Sequence, residues 1–244
     1  MPINRFIDIF TDKIPDMNNA TISADVISFT LLPEAEKRKL ENGIKELLGE
    51  LSVKYSQEGF YGRMVQGDSI ECALQSPKYI FRIALIIKTF IKSAHYDFSK
   101  EEKSRLKYFL DHGIRLAIAV APLQTLNPEA GIIDGEAIYM SGRTIKNLST
   151  SFKQKIVIKS TMFFRHSDAA IQEQFDTVFA LTDTILSRCS ARQSEVICYK
   201  LLNLNEKEIS EKLGKKQSTI SQHSTAAGWI SIEKAVTYFE NTIL

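Results

Sequence analysis

The sequence predicts an α+β fold: a ferredoxin-like domain with a mostly antiparallel sheet, followed by a small all-α helix-turn-helix domain. Two observations predict it. Up to residue 162, segments of strand and helix periodicity alternate in the order β-α-β-β-α-(α)-β-α-β, which places helices on one face of an antiparallel sheet. Toward the C-terminus, Glu206-Lys-Glu-Ile-Ser-Glu-Lys-Leu-Gly-Lys-Lys-Gln-Ser-Thr-Ile-Ser-Gln-His223 reads as a helix, a three-residue turn and a second helix.

The elements follow in order. Thr21 to Ile27 is a short buried strand. Pro33 opens a helix whose Leu40, Ile44, Leu47, Leu48, Leu51 and Tyr55 share one face. Gly59 to Gly62 is a break. Arg63 to Gln66 and Ser69 to Leu74 are strands joined tightly at Gly67-Asp68. Ser76-Pro77 starts a helix that is apolar nearly all round, interrupted by Arg82, Lys88 and Lys92, and is therefore expected to be buried. Ser99 to Glu102 is a capping box, and Gly113 ends the helix it begins. Ile114 to Val120 is an apolar run broken only by Arg115, as in a central strand. Gly131 to Gly135 reads as a loop, Ala137 to Leu148 as a helix and Lys155 to Lys159 as a strand. Ser167 to Leu186 is helical, with Ile171, Phe175, Val178, Phe179, Thr182 and Leu186 at helical spacing. Ser190 to Gln193 and Asn205 to Glu208 are two further capping boxes. The expected division is 1–162, a connecting helix over 163–187, and 188–244.

In the C-terminal pair, Ile209, Leu213 and Ile220 form one apolar face, and Ser210 is small where the helices approach. Gly214 ends the first helix in the left-handed region. The second helix of such a motif lies in the DNA major groove. Lys215, Lys216, Gln217, Ser218, Thr219, Ser221 and Gln222 are the candidate DNA-contacting residues, being types that suit phosphates and base edges. Trp229, Ile230, Val236, Tyr238 and Phe239 read as packing of a final helix.

Charge gives limited help to this reading. The chain of 244 residues carries a net +2, and all of it falls from Arg188 onward, with 8 Lys/Arg against 6 Asp/Glu. So small an excess calls for base contacts or a second protomer as well as phosphate contacts. Hydrophobic residues make up 44% and charged residues 25%, as in a globular chain with a full core. Cys72, Cys189 and Cys198 show no metal-ligand or disulfide spacing and read as buried small hydrophobes. Met1 to Arg5 shows no signal peptide, and the most apolar stretch, Tyr79 to Ala94, is too short for a bilayer. A soluble cytoplasmic protein without membrane partners is expected.

Three segments carry a resemblance. Asp25-Val-Ile-Ser-Phe-Thr30, Gly67-Asp68 in a hairpin, and Gly135-Glu-Ala-Ile-Tyr-Met-Ser-Gly-Arg143 resemble the first-strand motif, the second metal aspartate and the Gly-x-x-Val-Asn-x-Ala-x-Arg motif of class III nucleotidyl cyclase domains. The resemblance covers residues 20 to 162. It implies that Asp25 and Asp68 hold Mg or Mn with a nucleotide, and that the backbone of Ile27, Ser28, Phe29 and Thr30 lies against the phosphates. It also implies that Arg143 acts catalytically at the partner's site in a homodimer. The base- and ribose-reading positions depart from the family. Met64 stands for the purine-reading lysine, Ile132 for the purine-reading aspartate and Tyr139 for the ribose-orienting asparagine, while Ser28 replaces the loop glycine. Joined to a helix-turn-helix, such a domain resembles the SatD-like bacterial proteins. The first expectation is a DNA-binding transcriptional regulator, a homodimer on double-stranded DNA, whose degenerate cyclase-like domain dimerises or senses a ligand. Alternatives are an active metal-dependent cyclase-type enzyme on nucleoside triphosphates and a structural dimerisation protein without ligand.

Overall fold

A computed structural model describes residues 18–65, 67–152 and 160–243. The strand expected at Lys155 to Lys159, the end of the expected strand at Gln66, and Met1 to Arg5 lie outside the described residues.

The main sheet has five strands in the order β2-β3-β1-β4-β7. They are β1 (Asn19–Val26), β2 (Tyr61–Val65), β3 (Ser69–Leu74), β4 (Ile114–Ala121) and β7 (Met162–His166). The pairings β1·β3, β1·β4 and β2·β3 are antiparallel, and β7 adds to the β4 edge in parallel. The first four strands follow the ferredoxin-like order. Helices α1 (Glu34–Lys54) and α2 (Ile80–Ser93) are its two crossovers, with α3 (Lys100–Arg105) and α4 (Lys107–His112) leading into β4. The single helix expected after Ser99 is therefore two, broken at Leu106.

Helices cover both faces of the sheet, which corrects the one-face expectation. Strand alternation explains the two surfaces. Ala20, Ile22 and Ala24 of β1 join the large core beneath α1 and α2. Thr21 and Ser23 point the other way, to α5 (Glu136–Phe152), where both hydroxyls meet Ser141 Oγ at 3.1 and 2.8 Å. Small residues there, among them Ala117 and Ala119, let α5 lie close to β1 and β4. A second departure is the hairpin of β5 (Leu123–Asn127) and β6 (Ile132–Gly135), where a loop was expected. Gly135 ends it at φ +135°, and an added Cβ would lie 2.6 Å from Gln124 N.

Helix α6 (Ala169–Arg188) leads from β7 to α7 (Ala191–Leu201), α8 (Glu206–Leu213), α9 (Gln217–Ala226) and α10 (Trp229–Thr242). All three capping boxes form, at Ser99/Glu102, Ser190/Gln193 and Asn205/Glu208. One core cluster runs from the sheet into these helices and includes Ile197, Leu201, Ile232, Val236 and Phe239. Its centre is aromatic. Phe81 of α2 stacks on Phe179 of α6 at 4.4 Å, and Phe239 of α10 packs on Phe81 at 5.3 Å and Phe175 at 4.8 Å. Helix α2 is apolar all round because the sheet covers one side while α7 and α10 cover another. Ile230 and Tyr238 were expected to pack inside, yet are 68% and 45% exposed, so only part of that apolar set faces the core. The three cysteines are buried and free, as expected.

Two lysines of α2 cross this core. Lys88, 1% exposed, donates to Ile114 O at 3.1 Å and Thr161 Oγ1 at 2.7 Å, and lies 3.4 Å from Asp183 of α6. Burial works against the Asp183 charge. Lys88 and the Thr161 N–H and hydroxyl overcome it and hold the carboxyl below its ordinary value. Lys92 donates to Asp111 O, Leu186 O and Ser187 O at 2.6, 2.6 and 2.8 Å, closing the ends of α4 and α6. Burial, helped by the nearby Lys88, lowers its pKa to about 8.

Candidate functional site

Two separate places carry the residues expected to act. The first is the sheet end where β1 meets the β2–β3 hairpin. Antiparallel register sets Asp25 opposite Ser69, and Val26 N donates to Asp68 O at 2.9 Å. Asp25 and Asp68, 43 residues apart in sequence, therefore share one strand end. Asp25 also lies opposite Arg115 of β4. The Arg115 guanidinium grips its carboxylate with two hydrogen bonds, Nε to Oδ1 at 3.0 Å and Nη2 to Oδ2. These side chains are 12% and 17% exposed, so the pair is largely shielded from water. Asp68 Oδ1 accepts from Ser69 Oγ at 3.3 Å.

A divalent ion at this strand end would compete with Arg115 for Asp25. One of the two carboxylates is held by a fixed cation, and displacing a shielded guanidinium is costly. Among the described residues, no three His, Cys, Asp or Glu side chains are grouped to ligate a metal. In the sequence, Arg115 shows only as the one charge in an apolar strand.

Ile27 N donates to Gly113 O at 3.0 Å, anchoring the turn that follows β1. Ser28 has φ +55°, the left-handed region, and Phe29 to Leu31 continue as a 3-10 turn. A serine adopts this backbone at a cost of about 1 kcal/mol. Met64 packs half-buried against the core. Ile132 is 44% exposed. Tyr139 donates its hydroxyl to Asp134, which raises the phenol's pKa. Arg143 is exposed, its guanidinium carbon 6.0 Å from the Tyr139 ring centroid. Arg63 pairs with Glu71 and also donates to Gly131 O, tying the β5–β6 hairpin to β2 and β3.

The second place is the α8–α9 pair. Val196, Ile209 and Ile220 form a small buried cluster, with Tyr199, Leu204 and Leu213 packed on it. Gly214 takes φ +59° at the end of α8. Ser210 is more than small: its hydroxyl donates to Lys215 O at 2.6 Å and fixes the turn. Lys215, Lys216, Gln217, Ser218 and Gln222 are exposed, and Thr219 and Ser221 half-buried. Helix α9, Gln-Ser-Thr-Ile-Ser-Gln-His-Ser-Thr-Ala, contains no carboxylate. Its first N–H groups, following Lys216, have no acceptor earlier in the helix and favour an anion.

No family model and no curated protein matches the chain. Solved structures similar to it include a bacterial light-regulated adenylyl cyclase, at 14% identity and a TM-score of 0.40 over 61% of this chain and 75% of that one. A Trypanosoma brucei adenylate cyclase gives 17% and 0.42 over 55% and 71%. The guanylyl cyclase Cya2 gives 14% and 0.34 over 59% and 80%. All three are nucleotidyl cyclases. Among the described residues, no helix is long and apolar enough to cross a membrane.

Proposed function

We propose that the protein is a DNA-binding regulator that reads double-stranded DNA through α9, and that its cyclase-like part serves dimerisation or ligand sensing. The supporting observation is the surface of α9. It offers exposed Gln217, Ser218 and Gln222 without one carboxylate, behind two exposed lysines. Gln suits adenine edges, lysine suits phosphate, and a carboxylate-free face does not repel the duplex. The pairing of Asp25 with Arg115 supports the non-catalytic half of the reading.

Binding to genomic fragments, followed by fluorescence anisotropy at 50 and 150 mM salt, tests it. Preference for some fragments over random duplex is expected. Equal affinity for all of them sinks the proposal. A homodimer is part of the reading, because one +2 unit offers few phosphate contacts. Sedimentation equilibrium returning a monomer would count against it.

An active cyclase-type enzyme using Mg or Mn is the second reading, favoured by the shared strand end of Asp25 and Asp68. Arg143, being exposed, would reach a partner's site in it. Turnover of any of the four nucleoside triphosphates with Mn²⁺ would establish it. No turnover with Mn²⁺ or Mg²⁺ would remove it.

A further inference from the structure

The outer face of α9 carries some kinds of base reader and lacks others. Ile220, Ser224 and Ala227 are buried along the inner side of the helix and its cap. Gln217, Ser218, Gln222 and Thr225 are exposed, and Ser221 is half-buried. At about 100° per residue these side chains fall within about 140° of the circumference, so they form one continuous face. Among the described residues none of them has a hydrogen-bond partner. By contrast, the Thr184 and Ser187 hydroxyls of α6 turn back onto carbonyls of their own helix, at 2.9 Å each. The face is also held in place. Ser210 bonds Lys215 O across the turn, and Ile220 is seated in the cluster of Val196 and Ile209.

In the major groove, guanine is read best by the guanidinium of Arg and cytosine by a carboxylate. Adenine is read by Asn or Gln, and thymine by an apolar contact with its methyl group. The first two kinds of reader are missing here. Helices α7 to α10 hold no arginine beyond Arg192, and α9 has no carboxylate. The last two kinds are present. The amides of Gln217 and Gln222 carry the paired acceptor and donor that match adenine, and Thr225 carries a methyl group. Lys215 and Lys216 precede the first turn of α9, Lys216 as its N-cap. Each is a compact charge on a flexible stem, which suits the phosphates beside the groove better than a fixed base edge. Gln217 and Gln222 are about 7.5 Å apart along the helix, too far to share one base pair.

We propose that α9 reads A·T base pairs, with Gln217 and Gln222 on the adenines of two different pairs and Thr225 against a thymine methyl. This rests on the reading of α9 as a DNA-recognition helix and names the bases that it recognises.

Selection of bound duplexes from a randomised pool by the full chain, followed by sequencing, gives the preferred site. At least two strongly preferred A·T pairs are expected in it. Gln222→Ala, an exposed change that leaves the core intact, should weaken binding to that site about tenfold and flatten the preference at one of these pairs. Gln217→Ala should flatten a second. Placing 7-deazaadenine, which lacks the N7 acceptor, at the adenine that Gln222→Ala no longer prefers should weaken the natural chain about fivefold and leave the variant unaffected. That pairing separates reading of the base edge from a preference for easily deformed A·T-rich DNA. A preferred site made of G·C pairs, unchanged preferences in both glutamine variants, or equal sensitivity of the natural chain and Gln222→Ala to 7-deazaadenine would overturn the inference while DNA recognition by the chain stands. No preferred site at all would overturn the reading of α9 and the inference with it.

Discussion

The pairing of Asp25 with Arg115 allows a prediction that separates a structural carboxylate from a metal ligand. Breaking a fully buried pair by removing one partner costs about 3–5 kcal/mol, whereas exposed pairs contribute about 0–1. At 12% and 17% exposure this pair lies nearer the buried limit, so Arg115→Met should cost about 2–3 kcal/mol. In a chain of this length that lowers the thermal midpoint by about 5–10 °C. Asp25→Asn should cost somewhat less, because the amide keeps the shape and one acceptor. The double variant should cost less than the two singles added, by about 1.5 kcal/mol. Thermal and urea unfolding of the four proteins at pH 7 measures that coupling. A coupling below about 0.5 kcal/mol would refute the claim that Arg115 holds Asp25. A second result would refute it from another side: Mn²⁺ raising the midpoint of the natural chain but not of Asp25→Asn.

Other expectations follow from single features. Ser28→Gly should stabilise the protein by up to about 1 kcal/mol by relaxing φ +55°, read as a higher urea midpoint. Gly135→Ala should destabilise it by about 2–3 kcal/mol, because the new Cβ meets backbone at 2.6 Å and φ is +135°; an unchanged midpoint would show that the hairpin gives way freely. Asp183 has a lowered folded pKa, so its stabilisation is present above the unfolded value of about 4 and disappears as pH falls through the folded one. The stability gap between the natural chain and Asp183→Asn should accordingly shrink below about pH 4. Lys92 titrates near 8 in the fold and near 10.4 unfolded, so the unfolded chain binds more protons between these values and stability rises with pH there. Lys92→Met should lack that rise in midpoint between pH 8 and pH 10. Finally, Lys216→Ala should weaken DNA at every sequence, while Gln217→Ala relaxes preference among sequences.

Much of the architecture is visible in residue order because local and global preferences agree. Leu40, Ile44, Leu47, Leu48 and Leu51 repeat at helical spacing and all reach the core. The capping boxes mark three helix starts without tertiary help. What periodicity could not show is pairing across distance. Strand β7 has only five residues, and its assignment depends on the edge of β4 being open to it. The β5–β6 hairpin has two short strands, in which only Ile133 and Gly135 are buried, so alternation against a core leaves little trace there. In the candidate site, Asp25 and Asp68 were legible from their motifs, while the guanidinium that claims Asp25 lies 90 residues away. Lys88, Lys92 and Arg115 had looked like interruptions of apolar runs. They are the buried charges that tie those runs to their neighbours.

The shared aromatic centre has a practical consequence for dissecting the molecule. A fragment ending at the last residue of α6 would leave Phe81, Phe179 and Ile86 with the faces now covered by Phe239, Ile197 and Cys198 turned to water. Conversely, α7 to α10 expressed alone would keep the small Val196–Ile209–Ile220 cluster but display the opposite side of α7 and the inner side of α10. Both pieces would carry a broad sticky surface. The C-terminal helices are thus a poor cassette for grafting onto another protein, and limited proteolysis should spare the junction at Cys189 until the whole chain opens.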